Sequence, residues 1–516
     1  MALYALTMVC VVLAIGPWPV GVFQDDGIYM VLAKSIATGE GYRFLQMPGA
    51  PNATHYPPLY PAFLAMLWKV SPAFPQNVAV FKFANAFLLA IAAVGTFRFA
   101  REWGGLGERG AALMTVAFVS CAPLVLLSVM VLSEPFFLVF LIPTVIAAER
   151  AVQSGKPRDA MLAGAAAGIL SLIRSLGLLV APAAVLVLLY RRRWTAAFAL
   201  CAALVVVVAP WQFWVMRHAH EVPNIYLGKY GSYFGWWTQA IRTEGLAWVA
   251  RVAAHNLRMI TEQGWATTST ETLPLALRLA ATVGLGAFFV GGLARLFRRL
   301  PATALFVSLY FTMVIVWPFA PARFTWGIWP LVGLCFATGV QWVWDLSSGA
   351  RALSPAESRP RVWVRPVMLS AAALLLAGYA SYNAKAVTRG WWNTLQGSVA
   401  GRAQPLAEWV MANTQPTDLL ATDDDILIYL YTGRHTVPTG PFTAQEHLVP
   451  QTPAFAAAGL REILQQYRPS YIMASTQYGT YATNGLVVGP KAQIRVVTVL
   501  KTGAVYAPLA RPVGPP

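Results

Sequence analysis

Arg191-Arg192-Arg193-Trp194-Thr195 leads into AAFALCAALVVVVAPWQFWV, residues 196–215. The run carries no charged side chain. Wound as an α-helix at about 1.5 Å per residue, it spans the roughly 30 Å of a hydrocarbon core. The three arginines before it cannot enter that core, so they mark the side on which the segment starts. A second apolar run at 303–316 has the same character. The chain of 516 residues is 57% hydrophobic and only 11% charged, whereas a soluble domain carries about 25% charge. Much of the surface is therefore expected to face lipid.

The formal net charge of +17 raises the question of an anionic polymer. The positions of the charges answer it. Arg101 and Arg109, then Arg150, Lys156 and Arg158, then Arg191 to Arg193, sit in short gaps between apolar runs. So do Arg295, Arg298 and Arg299, and then Arg351, Arg359, Arg361 and Arg365. This is the positive-inside pattern of a polytopic membrane protein, and no nucleic-acid partner is expected. Hydropathy gives about 11 spans, near 2–22, 77–100, 110–129, 133–149, 160–174, 175–190, 196–216, 274–294, 301–318, 325–345 and 366–384. With the basic gaps cytoplasmic, the N-terminus lies inside and the C-terminus outside. Cys10, Cys121, Cys201 and Cys335 all fall within apolar runs, without the spacing of a metal site or a disulfide framework.

Three regions remain outside: the loop 23–76, the segment 217–273 and the tail 385–516. The tail mixes short helical and strand-like stretches, which suggests a small α/β domain at 385–516 after a membrane module at 1–384. In the first loop Ile28, Val31, Leu32 and Ile36 recur at helical spacing, and Gly39 and Gly41 supply a stop. Such a helix is expected to lie in the interface plane with its apolar face down. Asp25 and Asp26 open it. One aspartate suffices as a cap, and Asp26 is placed for that. A second acid at a membrane boundary is expensive unless it has a task, so Asp25 is the freer carboxylate. His55-Tyr56-Pro57-Pro58 follows, and the adjacent prolines exclude helix before Leu59.

The series Asp25-Asp26-Gly27-Ile28-Tyr29, Gly39-Glu40-Gly41-Tyr42 and His55-Tyr56-Pro57-Pro58-Leu59-Tyr60-Pro61 resembles the GT-C superfamily of membrane glycosyltransferases. The likeness is to bacterial relatives of the protein O-mannosyltransferases and of the lipid A aminoarabinose transferases. There an acidic pair, usually Asp-Glu, opens a helix in the first outside loop, and a Pro-Pro-Leu element follows. This chain has Asp26 where glutamate is usual. Ser133-Glu134-Pro135, Arg174, Arg323 in Pro321-Ala322-Arg323-Phe324, and Tyr431-Thr432-Gly433-Arg434 extend the resemblance along the chain.

The resemblance implies a GT-C-type polytopic helical fold with the catalytic elements in the loop 23–76. It implies transfer of a sugar from a polyprenyl-phosphate donor to a hydroxyl of a glycan, lipid or protein acceptor. Catalysis is then expected from Asp25 and Asp26, with His55, Tyr56, Glu134, Arg174 and Arg323 binding substrate. Asp25 suits a base, and guanidinium groups suit phosphate oxygens. A divalent metal is left open. The expected location is the bacterial inner membrane, with the C-terminal domain outside and membrane lipid as a partner. A transporter or flippase of lipid-linked envelope precursors is the alternative, and it would place polar groups along a path across the bilayer.

Other motifs are set aside. Gly105-Leu106-Gly107-Glu108-Arg109-Gly110 fits a dinucleotide fingerprint but follows a span instead of a strand. Asp423-Asp424-Asp425 precedes a helix and reads as capping. The aromatic run Tyr226, Tyr230, Tyr233, Phe234, Trp236 and Trp237 reads as an interface belt or packing.

Overall fold

The structure, a computed structural model, describes residues 1–268, 274–347, 364–487 and 492–509. The expected basic cluster at Arg351, Arg359 and Arg361 lies outside the described residues. Ala2–Val12 (α1) opens the chain, followed by Asp25–Ala37 (α2) and Leu59–Val70 (α3). A first group of helices then comprises Val78–Glu102 (α4), Glu108–Val119 (α5), Ala122–Val129 (α6), Glu134–Ser154 (α7), Pro157–Ser171 (α8), Val180–Tyr190 (α9) and Trp194–His218 (α10). Leu227–Tyr230 (α11), Tyr233–Glu244 (α12) and Leu246–Thr268 (α13) fill the segment after it. A second group follows with Leu275–Arg299 (α14), Pro301–Val316 (α15), Pro321–Gly327 (α16), Trp329–Ser347 (α17) and Val364–Thr388 (α18).

Among the described residues, α4, α7, α10, α14 and α18 are each long and apolar enough to cross a membrane. The pair α5/α6, bent by 52°, and the pair α16/α17, bent by 77°, raise the number to 7. α1, α3, the stretch Ser175–Tyr190 and α15 are apolar but shorter. The chain is thus a multi-pass membrane protein, with fewer full-length spans by this measure than hydropathy alone gives. The first expected span illustrates why. Helix α1 ends at Val12, because Gly16, Pro17 and Pro19 follow and cannot sustain the hydrogen-bond ladder. Small residues bring the helices together. A side chain on Gly164 of α8 would collide with the Leu200 carbonyl of α10, and one on Gly292 of α14 with the Cys335 carbonyl of α17. Close backbone approach of this kind is how helices associate in lipid, where burial alone gives little drive.

The tail begins with Trp391–Asn413 (α19) and continues with Leu420–Thr422 (β1), Asp425–Thr432 (α20), Thr436–Val437 (β2), Pro453–Tyr467 (α21), Tyr471–Ala474 (β3), Gln477–Val487 (α22), Ile494–Leu500 (β4) and Gly503–Pro508 (β5). The strands form one sheet in the order β2-β1-β3-β5-β4. β1 runs parallel to β2 and β3, pairing Leu420 with both Thr436 and Tyr471. β5 is antiparallel to β3 and β4. All of β1 is buried, as a central parallel strand covered on both faces should be.

Helix α20 ties this unit to the first loop. A Cβ on Gly27 would stand 2.5 Å from Ile426 Cγ2, and one on Gly21 would stand 3.3 Å from Leu427 Cα. Glycine at both positions lets α20 lie directly on the start of α2. The three aspartates before and at the start of α20 are ties, and the expected capping does not occur: the residue at the N-cap, Asp424, makes no side-chain cap. Asp423 accepts from the Ser475 and Thr476 amides at 3.1 and 3.0 Å. Asp424 accepts from Arg402 of α19 at 2.8 Å. Asp425 takes Lys229 Nζ at 3.2 Å and the Tyr230 hydroxyl. Acids so placed find their partners in separate elements, which a local cap cannot supply.

Candidate active site

Helix α2 is not an interfacial helix with one face down. Every residue from Asp26 to Ala33 is buried, because α3 and α20 pack on it. It does end as expected, with Gly39 and Gly41 at φ +83° and +88°. Its beginning is unusual. Gln24 has φ +72° and ψ −61°, and the Asp25 amide donates to the Phe23 carbonyl at 3.0 Å. This is a γ-turn in the rarer and strained of its two forms. Asp26 braces it. Its carboxylate accepts from the Gly21, Val22 and Phe23 amides at 2.7, 3.2 and 2.9 Å. Helix α2 therefore starts at Asp25, and Asp26 caps the turn before the helix instead of the helix itself. Burial pushes the Asp26 carboxyl up to about 6, although these amides pull the other way.

The γ-turn aims Asp25 at a set of side chains from distant elements. Tyr56 donates its hydroxyl to Asp25 Oδ1 at 2.7 Å. Arg323, on α16, pairs with Asp25 Oδ2. The same guanidinium reaches Glu134 Oε1 through Nε at 2.6 Å. Arg174, in the turn after α8, meets Glu134 Oε1 at 2.7 Å and Ser133 Oγ at 3.0 Å. Ser133 Oγ lies 3.1 Å from the Tyr29 hydroxyl. Two carboxylates and two guanidiniums thus alternate in one chain whose formal charges sum to zero. Glu134 is wholly buried. It opens α7 just after Val131, whose φ of +57° is a region that β-branched residues rarely occupy. Burial pushes the Asp25 carboxyl upward, but the Arg323 charge and the Tyr56 hydroxyl overcome this and hold it below the usual carboxylate range.

His55 stands beside this network. Burial lowers its pKa to about 4, so the ring is neutral at pH 7. Its Nδ1 faces the Gly231 carbonyl, which fixes that nitrogen as the donor. The ring packs on Tyr56 and Tyr233, with centroids 4.7 and 3.9 Å away. The first residues of α7 and α16, the turn after α8 and the start of α2 all lie at one end of the helical bundle. The polar groups gather there.

Known proteins share parts of this sequence and its fold. The profile of the dolichyl-phosphate-mannose-protein mannosyltransferase family matches residues 55–214, which include His55, Tyr56, Glu134 and Arg174. No curated protein sequence matches the chain. Two solved structures of ArnT from Cupriavidus metallidurans do match. The one bound to undecaprenyl phosphate aligns over 100% of this chain and 99% of its own, at 14% identity and a TM-score of 0.55. The one in the apo state aligns over 100% and 98%, at 14% identity and a TM-score of 0.53. The chain has the GT-C fold. It resembles both the protein mannosyltransferases and ArnT.

Within this GT-C fold six of the seven residues singled out from the sequence are neighbours: Asp25, Tyr56, Glu134, Arg174 and Arg323 in the network, and His55 against it. Asp26 is adjacent in sequence but turned into the backbone of residues 21–23. Three further residues complete the site. Tyr29 lies one turn beyond Asp25, on the same face of α2, and the i, i+4 spacing could have signalled it. Ser133 precedes Glu134 and belongs to the same motif. Tyr233 comes from the aromatic run and carries no local signal of its role. The tail motif Tyr431-Thr432-Gly433-Arg434 is a clasp. The Tyr431 hydroxyl accepts from the Val20 amide at 3.1 Å, and Arg434 donates to the Thr414 carbonyl at 3.1 Å.

Proposed function

We propose that this protein transfers a sugar from a polyprenyl-phosphate donor to an acceptor hydroxyl on the outer face of the membrane, with Asp25 as the base. The observation that carries the reading is the alternation of Asp25, Arg323, Glu134 and Arg174 at one end of a GT-C fold. A carboxylate able to take a proton stands beside cations able to hold a phosphate, and Glu134 fixes both cations. The undecaprenyl phosphate bound to ArnT supports a polyprenyl-phosphate donor. The acceptor is a glycan, lipid or protein hydroxyl.

In the reaction, the acceptor oxygen attacks the anomeric carbon while Asp25 takes its proton. The bond from the anomeric carbon to the phosphate oxygen breaks, and its electron pair leaves with the polyprenyl phosphate. The phosphate gains one negative charge as Asp25 loses one. Arg174 and Arg323 stabilise that gain, which is the kind of preorganised electrostatic help that contributes most in dry sites. Single displacement inverts the anomeric centre. A donor phosphate also competes with Asp25 for Arg323. Once Arg323 turns to the phosphate, Asp25 loses its acidifying partner and becomes a stronger base. Asp26 shapes the turn that presents Asp25, and His55 with Tyr233 walls the site. The membrane module at 1–384 carries the chemistry, and the tail at 385–516 covers it from outside.

The test is Asp25→Asn. The amide keeps the shape and the bond to Tyr56 but cannot accept a proton at neutral pH. Transfer by the purified protein should fall by roughly two to four decades, while binding of the polyprenyl-phosphate sugar persists. Turnover at the parent rate would remove Asp25 as the base.

A further inference from the structure

The turn between α15 and α16 carries Arg323 into the site, and the sequence leaves that turn short of hydrogen bonds. The last carbonyls of an α-helix have no partner within it. Here the residue placed to donate to the Val314 carbonyl is Pro318, which has no N–H. The Phe319 amide is also lost to the helix, since it turns back to the Trp317 carbonyl at 2.8 Å. Asn256 of α13 supplies what is missing. Its side chain is wholly buried, and Nδ2 donates to the carbonyls of Val314, Ile315 and Trp317 at 3.0, 3.2 and 2.7 Å.

Those bonds fix the orientation of the amide and leave Asn256 Oδ1 as an acceptor. His447 of the tail meets it through Nε2 at 2.6 Å, so that nitrogen is the one that carries the proton. The His447 ring also stands edge-on to His255, with centroids 5.0 Å apart. It ends the turn Ala444–His447, which a capping box between Thr443 and Glu446 closes. Gln445 ties the same turn to Glu244 of α12 at 2.6 Å. Beyond Asn256, the strap 317–320 transmits position to α16. Trp317 and Ala320 precede prolines and are extended, at ψ +128° and +120°, as a following proline favours. Pro318 and Pro321 each fix a φ angle. The Trp317 ring meets Tyr233 edge-on at 5.8 Å, and Tyr233 walls the catalytic network.

We infer that Asn256 and His447 are positioning residues for Arg323. His447 holds the Asn256 amide, the amide holds the strap, and the strap keeps α16 in place while the Arg323 guanidinium turns from Asp25 to the donor phosphate. The tail thereby helps to set the donor site, beyond covering it. The inference rests on the proposed role of Arg323 as a ligand of the donor phosphate.

The experiment uses the full chain in nanodiscs. Amide hydrogen exchange is read by mass spectrometry, and affinity for the polyprenyl-phosphate sugar is measured separately. Asn256→Leu strips the strap of its donor, and His447→Phe removes the outer link while keeping a ring. Exchange over residues 317–327 should quicken by about tenfold in each, the size expected from losing a hydrogen bond to a buried amide. Donor affinity should weaken by a similar factor. His447→Gln places an amide nitrogen near the position of Nε2 and should restore both, which separates a lost bond from a misfolded tail. In an Arg323→Ala background neither substitution should weaken donor binding further, whereas a general structural defect would weaken it in both backgrounds. Unchanged exchange over 317–327, or an equal loss of affinity without Arg323, would overturn the inference. Arg323→Ala with donor affinity intact would instead overturn the phosphate role of Arg323, and exchange over 317–327 would still decide whether Asn256 and His447 hold the strap.

Discussion

Glu134 offers the most direct test of the network, because both arginines pair with it. Glu134→Gln keeps the volume and one carbonyl acceptor but removes the charge. The side chain is 0% exposed, and its partners Arg174 and Arg323 are 11% and 18% exposed. Bulk water is therefore poorly placed to replace it. An exposed ion pair contributes about 0–1 kcal/mol, whereas removing one partner of a buried pair costs about 3–5 kcal/mol, chiefly because the other charge is left uncompensated. Here two guanidiniums would face a single carboxylate, Asp25. Glu134→Gln should lose about 3–5 kcal/mol of stability, read from reversible titration with a denaturing detergent in mixed micelles. Arg174→Gln added to Glu134→Gln rebalances the charges. The double variant should then be more stable than the two single losses predict, with a coupling of about 0.5–3 kcal/mol. A Glu134→Gln protein within about 1 kcal/mol of the parent would refute the reasoning, since it would place the network in the range of solvated pairs.

Two other substitutions test the site's parts. Arg323→Ala removes the group that holds Asp25 below its usual range while leaving its burial intact. The acidic limb of the transfer rate should therefore move to higher pH, as measured by initial rates across pH, and an unmoved limb would separate Asp25 from that titration. The stability supplied by the Asp25–Arg323 pair is present above the unfolded aspartate value of about 3.9 and is lost as pH falls through the lowered folded value. The parent and Arg323→Ala should accordingly converge in stability on acidification. Gln24→Gly relieves a strained turn that costs about 1–3 kcal/mol, against roughly 0.5–1 kcal/mol of added chain entropy. It should leave stability equal or slightly higher with transfer retained, whereas Gln24→Val should lose transfer with the donor still bound.

The sequence made some parts of this site legible and concealed others for physical reasons. Helix α2 announces itself through Ile28, Val31, Leu32 and Ile36, and its stop through Gly39 and Gly41. Its full burial is concealed, because α20, some 400 residues later, covers it together with α3. The acidic pair reads as a cap, Asp26, and a freer carboxylate, Asp25, but not as the contacts each makes. The backbone supplies those contacts, since the γ-turn at Gln24 points Asp25 toward Arg323 and folds Asp26 back onto residues 21–23. Arg323 meets Asp25 across 298 positions, and no local pattern encodes such a contact. Resemblance to a family could nominate it where periodicity could not. In the tail, β1, α20, β3 and β4 carry recognisable apolar patterns. β2 is too short to show one, at two residues. α13 is amphipathic in a region that hydropathy reads only as non-spanning, so its helix escapes a search for apolar runs.

The two adjacent aspartates show how one backbone feature can assign separate tasks to identical side chains. Asp26 is buried and Asp25 half-buried, and desolvation alone would raise both. Asp26 meets only amides, and its carboxyl stays raised at about 6. Asp25 meets a full positive charge, and its carboxyl is held low. Environments that drive paired titratable groups apart are a recurring means of dividing acid and base roles. Under the proposed reading, however, a carboxylate held low is a poor base, and its low value depends on Arg323, the residue expected to hold the donor phosphate. Base strength then depends on whether Arg323 is engaged elsewhere. Without donor, Asp25 is neutralised by its neighbour and cannot readily take a proton. With donor bound, an extra anion joins a network that was already neutral, and the rise in Asp25 basicity is the electrostatic consequence. The coupling needs no moving domain, only one guanidinium shared between two acids.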